Sequence, residues 1–173
     1  LSRDLLKNTS CNVSGGETYL KEEKKEFLTF CQKELNTSPL LIDGFGFSEM
    51  GSATALKFGL NDYFLLMNGI EAKAIHPETH TDLPIEQEGI LCFSGPTIAE
   101  NYYNNEEATK KSFIIDSNGK RWFISDTYGL VHGKMKRLIK LGGRIREYFI
   151  TDDGNGNFVK VYAGNVEDVI SSC

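Results

Sequence analysis

At Gly51 the sequence changes character, and that change restricts the folds open to the chain more than anything else in it. Beyond it the chain falls into short runs at 54–58, 63–67, 71–76, 89–93, 112–115, 121–124, 128–132 and 136–140, parted by turn pairs such as Asn68-Gly69, Asn118-Gly119 and Gly142-Gly143. Runs of this length broken by Asn-Gly and Gly-Gly predict short strands joined by tight turns, and such spacing reads as a small, mostly antiparallel β-barrel. Residues 104–111 are polar with good helix formers and predict one short helix among these strands.

Before Gly51 the periodicity is different. Residues 12–14 predict a short strand ending in a glycine turn, and Leu20, Phe27, Leu28, Cys31 and Leu35 recur at helical spacing over 20–35. The lysines and glutamates of 21–25 are read as that helix's solvated face. Pro39 stops what precedes it, and residues 40–42 predict a short buried strand running into Asp43. Strand, helix, strand suggests the edge of a parallel sheet. Beyond Arg146, Phe149-Ile150-Thr151 and Val159-Lys160-Val161 flank the polar, glycine-rich stretch 152–157, which predicts a hairpin, and Asn165 is placed to cap the start of a helix over 166–172. The fold class is therefore α/β: a strand-helix-strand unit in 1–53, a barrel-like antiparallel subdomain in 54–145, and a hairpin with a helix start in 146–173.

A chain of 173 residues with 40% hydrophobic content can bury one substantial core. Its net charge of −5 argues against nucleic-acid binding, which needs a basic face. Cys11, Cys31, Cys92 and Cys173 are widely spaced, which fits neither a zinc site nor a disulfide framework and reads as reduced thiols. Asn-x-Ser/Thr sequences begin at Asn8, Asn12 and Asn36, but no signal segment or membrane-length apolar run accompanies them, so the expected location is cytoplasmic. His76, His80 and His132 have no ligand spacing.

Two segments carry chemistry. Asp43-Gly44-Phe45-Gly46-Phe47-Ser48-Glu49 sets a flat aromatic between glycines, then a hydroxyl and a carboxylate. Phe45 can offer a face to a purine, Ser48 can donate to a phosphate oxygen, and Glu49 can hold a hard cation. Trp122-Phe123-Ile124-Ser125-Asp126-Thr127-Tyr128-Gly129 ends an aromatic-rich run with one acid, Asp126, able to accept two bonds from ribose hydroxyls. Taken singly, Phe45 reads as a core aromatic in a turn, Glu49 as a first-turn acid, and Asp126 as a turn residue after a strand.

Three further stretches join them in order: Val13-Ser14-Gly15-Gly16-Glu17, then 89–96 with its Ser94-Gly95-Pro96 end, and 101–109; Gly143-Arg144-Ile145-Arg146 follows. In that order the motifs, from about Asn12 to Val169, resemble the adenylate-forming superfamily of acyl-CoA synthetases, peptide-synthetase adenylation domains and luciferases. The resemblance implies activation of a carboxylic acid by Mg-ATP to an acyl-adenylate, then thioester formation with coenzyme A. A carrier-protein pantetheine as acceptor and a non-catalytic binding module are the alternatives. It implies that Phe45 stacks on adenine beside Gly16 and Glu17, Ser48 holds the α-phosphate, Glu49 binds Mg2+, Asp126 the ribose, and Arg144 the ribose-phosphate edge of ATP or AMP. Gly15, Asp43, Gly44, Gly46 and Phe47 complete the nucleotide and acyl site, and Arg146 is the hinge. Ile124-Ser125 stands where the family has Thr-Gly before the acid, which puts the loop geometry there in question because serine does not visit positive φ as freely as glycine. The family's Ser/Thr/Gly-rich loop ending in Pro-Lys-Gly does not occur in this sequence. The resemblance thus makes the chain an internal fragment, from the end of the large N-terminal domain into the C-terminal one, expected to be inactive alone and able to associate through exposed surfaces.

Overall fold

The computed structural model describes residues 10–15, 21–145, 148–152, 154 and 158–162. β1 (Cys11–Gly15) lies parallel to a later strand through a crossover that carries α1 (Lys21–Phe30), which widens into a π-helical turn over Cys31–Leu35. The helix stops where Asn36 adopts a left-handed φ of 51°, its N–H and that of Thr37 both returning to the Cys31 carbonyl, and Pro39 prevents any continuation. β2 (Leu40–Phe47) then pairs with β1, setting Val13 beside Ile42 and Gly15 beside Gly44. The expected strand-helix-strand unit is present.

β2 runs past residue 42 because β3 (Ser52–Phe58) lies antiparallel along its other edge and takes up backbone groups as far as Phe47. The 3-10 turn Ser48–Met50 reverses the chain between them. Gly51 closes that turn at φ 80°, its N–H on the Ser48 carbonyl, and a Cβ there would stand 3.2 Å from the Thr97 Cβ. Glycine meets both the conformation and the space.

After β3 come β4 (Phe64–Leu66), β5 (Glu71–Ile75), β6 (Gly89–Ser94), α2 (Glu106–Ser112), β7 (Phe113–Ile115), β8 (Arg121–His132) and β9 (Leu138–Arg144), with β10 (Tyr148–Asp152) and β11 (Phe158–Tyr162) forming a separate antiparallel hairpin. Asn105 caps α2 by accepting from the Ala108 N–H at 3.0 Å. The main sheet runs β1-β2-β3-β4-β9-β8-β6-β5, antiparallel everywhere but at β1-β2, and β7 also lies on β8.

Three expectations are corrected. The barrel is not closed: among the described residues the path ends at β1 and β5, although the sheet curls enough that Phe47 of β2 meets Phe93 of β6 at 5.5 Å and Phe123 of β8 at 5.2 Å. Runs 121–124 and 128–132 are one twelve-residue strand, continued through Ser125-Asp126-Thr127. Gly142-Gly143 is not a turn but part of β9, where Gly143 pairs with Tyr128 at φ 127° beside a register shift.

β6 is buried on both faces. Leu91 and Phe93 join Met50, Leu66, Phe123 and Ile139 on the concave side, while Ile90 and Cys92 join Ile75 and Trp122 on the other. Burying each such large side chain is worth about 1.5–3 kcal/mol, so this concave aromatic seam fixes the curvature of the sheet. Burial pushes the Cys92 thiol up to about 12, and Cys11, Cys31 and Cys92 are all free. Gly16, Glu17, Arg146, residues 155–157 and the helix start at 165–172 lie outside the described residues.

Candidate functional site

The carboxyl end of β2, the turn after it and the neighbouring β1 border an open cleft of about 530 Å3, lined by residues 13–15 and 44–48 with Gly51 and Ala53. Of the site residues named from sequence, Gly15, Gly44, Phe45, Gly46, Phe47 and Ser48 are thus brought to one place. Ser48 is exposed there, and Glu49 is half-buried one residue on.

The turn bearing Ser48 and Glu49 is fixed from behind by the segment after β6. The Thr97 hydroxyl donates to the Met50 carbonyl at 2.6 Å, the Ala99 N–H to the Glu49 carbonyl at 2.8 Å, and the Tyr102 phenol to Glu49 Oε1 at 2.6 Å. Arg121 of β8 secures that segment in turn, its guanidinium donating to the carbonyls of Ala99 and Glu100. Burial raises the Tyr102 phenol above the ordinary tyrosine range; Glu49 adds to the effect and the Ser112 hydroxyl opposes it.

Phe45 lines the cleft and also packs into the aromatic seam, edge-on to Phe47 at 4.9 Å and tilted against Phe64 at 5.8 Å and Phe93 at 6.0 Å. Its position is therefore set by the core, which is how a rigid ring can border an open cleft.

Asp43 is buried, and its carboxylate is taken up by protein groups: Lys24 of α1, the Ser14 hydroxyl at 2.6 Å and Lys57 of β3 at 3.3 Å. Burial alone would raise this carboxyl, but Lys24, Ser14 and Lys57 together outweigh it and hold it below its usual range. Burial and the Lys24 charge lower the Lys57 ammonium, against the pull of Asp43. The reading of 21–25 as a wholly solvated face is corrected here, since Lys24 is only 2% exposed. The signal was present: Lys24 continues the inward-facing stripe of half-buried Leu28 and buried Cys31 and Leu35 at steps of four, three and four.

In the second segment Asp126 is exposed, and it sits inside β8 at a bulge rather than at a strand end. Ser125 makes the bulge: its hydroxyl donates to the Leu91 carbonyl at 2.7 Å and accepts the Thr127 N–H at 3.1 Å, replacing the ladder bonds that the extra residues break. Ser125 is not among the residues at positive φ, so no glycine is required. Across the ladder Thr127 pairs with Arg144, and the Ile145 N–H donates to the Asp126 carbonyl at 2.6 Å, which brings exposed Arg144 to within one register step of Asp126.

The two segments meet through the 5.2 Å contact of Phe47 with Phe123. Asp126 lies three residues beyond Phe123, about 10 Å at roughly 3.3 Å per strand residue. Elsewhere His132 is stacked on Tyr63 at 4.3 Å with Nδ1 on Glu86 at 2.9 Å, and His76 Nδ1 accepts the N–H groups of Glu78 and Thr79; among the described residues no three His, Cys, Asp or Glu gather to hold a metal. No described helix is long and apolar enough to cross a membrane.

The arrangement has counterparts among known proteins. The chain is 31% identical over 147 residues to "Probable CoA ligase CCL5" of Humulus lupulus, covering 76% of this chain and 25% of that one. It superposes on ATP-bound MatB from Rhodopseudomonas palustris with a TM-score of 0.70 at 21% identity, covering 94% of this chain and 30% of the other. It superposes on McyG A-PCP complexed with phenylalanyl-adenylate at a TM-score of 0.69 and 22% identity, covering 99% and 32%. No family model matches. The chain spans a quarter or less of the length of the curated relatives it resembles.

Proposed function

This chain belongs to the adenylate-forming superfamily of CoA ligases and adenylation domains, and from that membership we propose that its cleft is part of a Mg-ATP site that activates a carboxylic acid as an acyl-adenylate. The observation that carries the reading is the Phe47–Phe123 contact, which brings a glycine-floored cleft with Ser48 and Glu49 together with the strand that presents Asp126 and Arg144.

Roles follow from placement. Phe45, rigid in the seam, borders the space for the purine, and Ser48, exposed on its turn, donates to the α-phosphate. Asp126 accepts from the ribose hydroxyls, and Arg144 neutralises the adjoining ribose-phosphate edge. Mg2+ fits Glu49: a single carboxylate beside phosphates suits an ion that takes one or two protein oxygens and retains water, and among the described residues no hydrogen bond or ion pair reaches Oε2. When bound, the ion supplies neutralisation of phosphate charge. An acid's carboxylate oxygen attacks the α-phosphorus, the bond to the pyrophosphate oxygen breaks, and pyrophosphate leaves with the electron pair. The chain's contribution is positioning and electrostatics. A thiol sulfur, that of coenzyme A in the reading we favour, then attacks the acyl carbon and AMP departs. The CoA ligase names of the curated relatives support that acceptor.

The sequence contains no Gly-rich loop ending in Pro-Lys-Gly, so binding is the direct test on this chain. In a 15N-labelled sample titrated with AMP, Gly44, Phe45, Ser48 and Asp126 should shift together and saturate with one dissociation constant. A response in only one segment, or in neither, overturns the shared site.

A further inference from the structure

Glu49 is held twice over, by different means. Its backbone is fixed by the Ala99 N–H on its carbonyl and by the Thr97 hydroxyl on the next carbonyl, whereas its carboxylate is held by the Tyr102 phenol on Oε1. Tyr102 is itself built in: its N–H donates to Thr109 Oγ1 at 3.0 Å, its carbonyl accepts the Asn105 N–H, and its ring packs on Phe113 at 5.7 Å. Neighbouring Tyr103 is 90% exposed, so the two adjacent tyrosines differ in kind. The phenol adds a hold on the carboxylate itself, while the turn's backbone keeps its own bonds from Thr97 and Ala99.

We propose that Tyr102 is a positioning residue for Glu49: by occupying Oε1 it restricts the carboxylate to one-oxygen ligation and so selects a small divalent cation. The inference rests on Glu49 being the cation's ligand, as proposed above. A carboxylate with both oxygens available can chelate bidentately, which suits Ca2+ with its long bonds and high coordination number. Mg2+ demands near-octahedral geometry and takes single carboxylate oxygens.

The test uses Mn2+ with ATP as probe, followed by electron paramagnetic resonance, with Mg2+ and Ca2+ as competitors. In the wild-type chain Mg2+ should displace Mn2+ more effectively than Ca2+ does. In Tyr102→Phe, which keeps the ring and leaves the Thr97 and Ala99 bonds in place, the preference for Mg2+ over Ca2+ should fall about tenfold, the lower range for removal of an outer partner of a metal ligand. An unchanged Mg2+/Ca2+ preference in a folded Tyr102→Phe chain overturns the proposal. Two controls separate its failure from that of the function. Glu49→Gln binding Mn2+ with ATP as tightly as wild type, or no nucleotide-dependent Mn2+ binding at all, overturns the metal role of Glu49 and the inference with it. A 13Cζ-tyrosine spectrum at fixed neutral pH needs no nucleotide: Glu49→Gln should shift the Tyr102 resonance and leave exposed Tyr103 unchanged, and an unmoved Tyr102 resonance overturns the phenol–carboxylate bond even where AMP binding stands.

Discussion

The two halves of the candidate site are held in opposite ways. The cleft floor and the Ser48–Met50 turn are fixed by side chains from far away in sequence: Lys24 and Lys57 on Asp43, and Thr97 and Tyr102 on the turn itself. The bulge that presents Asp126 is fixed by a single side chain of its own, the Ser125 hydroxyl, which accepts the Thr127 N–H two residues on and donates to the Leu91 carbonyl of the adjoining strand. The difference follows from what each must hold. A reversing turn between two strands has few backbone partners of its own and must borrow them. A bulge keeps its strand's ladder on both sides and lacks only the bonds at the extra residues. The first half should therefore be sensitive to changes throughout the fold, and the second only to changes beside it.

The largest test of that contrast is Asp43→Ala. It removes the carboxylate that Lys24 and Lys57 share beneath the cleft, and breaking a buried ion pair from one side costs about 3–5 kcal/mol. Urea denaturation should show the loss, and Asp43→Asn combined with Lys24→Met should recover part of it. pH reports on the same group. Because the folded-state pKa of Asp43 lies below its unfolded value, its contribution is present above the ordinary aspartate range and is lost as pH falls through the lower folded value. The wild type should lose stability across that window, and the double variant should lose less. If Asp43→Ala behaves as a neutral surface change, the long-range account of the cleft floor is wrong.

Next in size is Ser125→Ala. Ser125 is buried, and its loss leaves the Thr127 N–H and the Leu91 carbonyl without their partner, a cost of about 1–3 kcal/mol. The effect should stay local: amide exchange should quicken around residues 91 and 125–127, with the turn at 48–50 unaltered. A spread of that change into the turn would show that the two halves are coupled more tightly than their hydrogen bonds imply.

How far the sequence spoke follows the same division. The strand-helix-strand unit, the antiparallel runs and the hairpin were legible because each rests on local periodicity and on turn residues such as Asn68-Gly69 and Asn118-Gly119. The convergence of Gly15 with residues 44–48 was legible only through the resemblance. Three things were not read. Lys24 was taken for solvated because its charge outweighed its place on the Leu28, Cys31, Leu35 stripe. The continuity of β8 was hidden because Ser125-Asp126-Thr127 looks like a turn, and the bond from the Ser125 hydroxyl to the Leu91 carbonyl, thirty-four residues away, is not visible in a local pattern. Barrel closure depends on whether distant edges pair, which no local pattern encodes, and the seam of Phe45, Phe47, Phe93 and Phe123 curls the sheet without joining β1 to β5.

The smallest effect on stability should come from Asp126→Ala, and it is the sharpest test of function. Asp126 is exposed and its side chain is not part of the bulge's hydrogen bonding, so unfolding free energy should change by no more than about 0.5 kcal/mol. If the carboxylate accepts ribose hydroxyls, its loss removes charge-assisted hydrogen bonds worth about 1.5–3 kcal/mol, and AMP affinity measured by calorimetry should fall accordingly. Ser125→Ala should weaken AMP binding as well, because it lets the strand that aims Asp126 relax, but it does so together with a loss of stability. The ratio of binding loss to stability loss thus separates the group that contacts nucleotide from the group that holds it. Equal AMP affinity in wild type and Asp126→Ala would return that acid to an ordinary exposed strand residue and leave the cleft beside Ser48 without its second half.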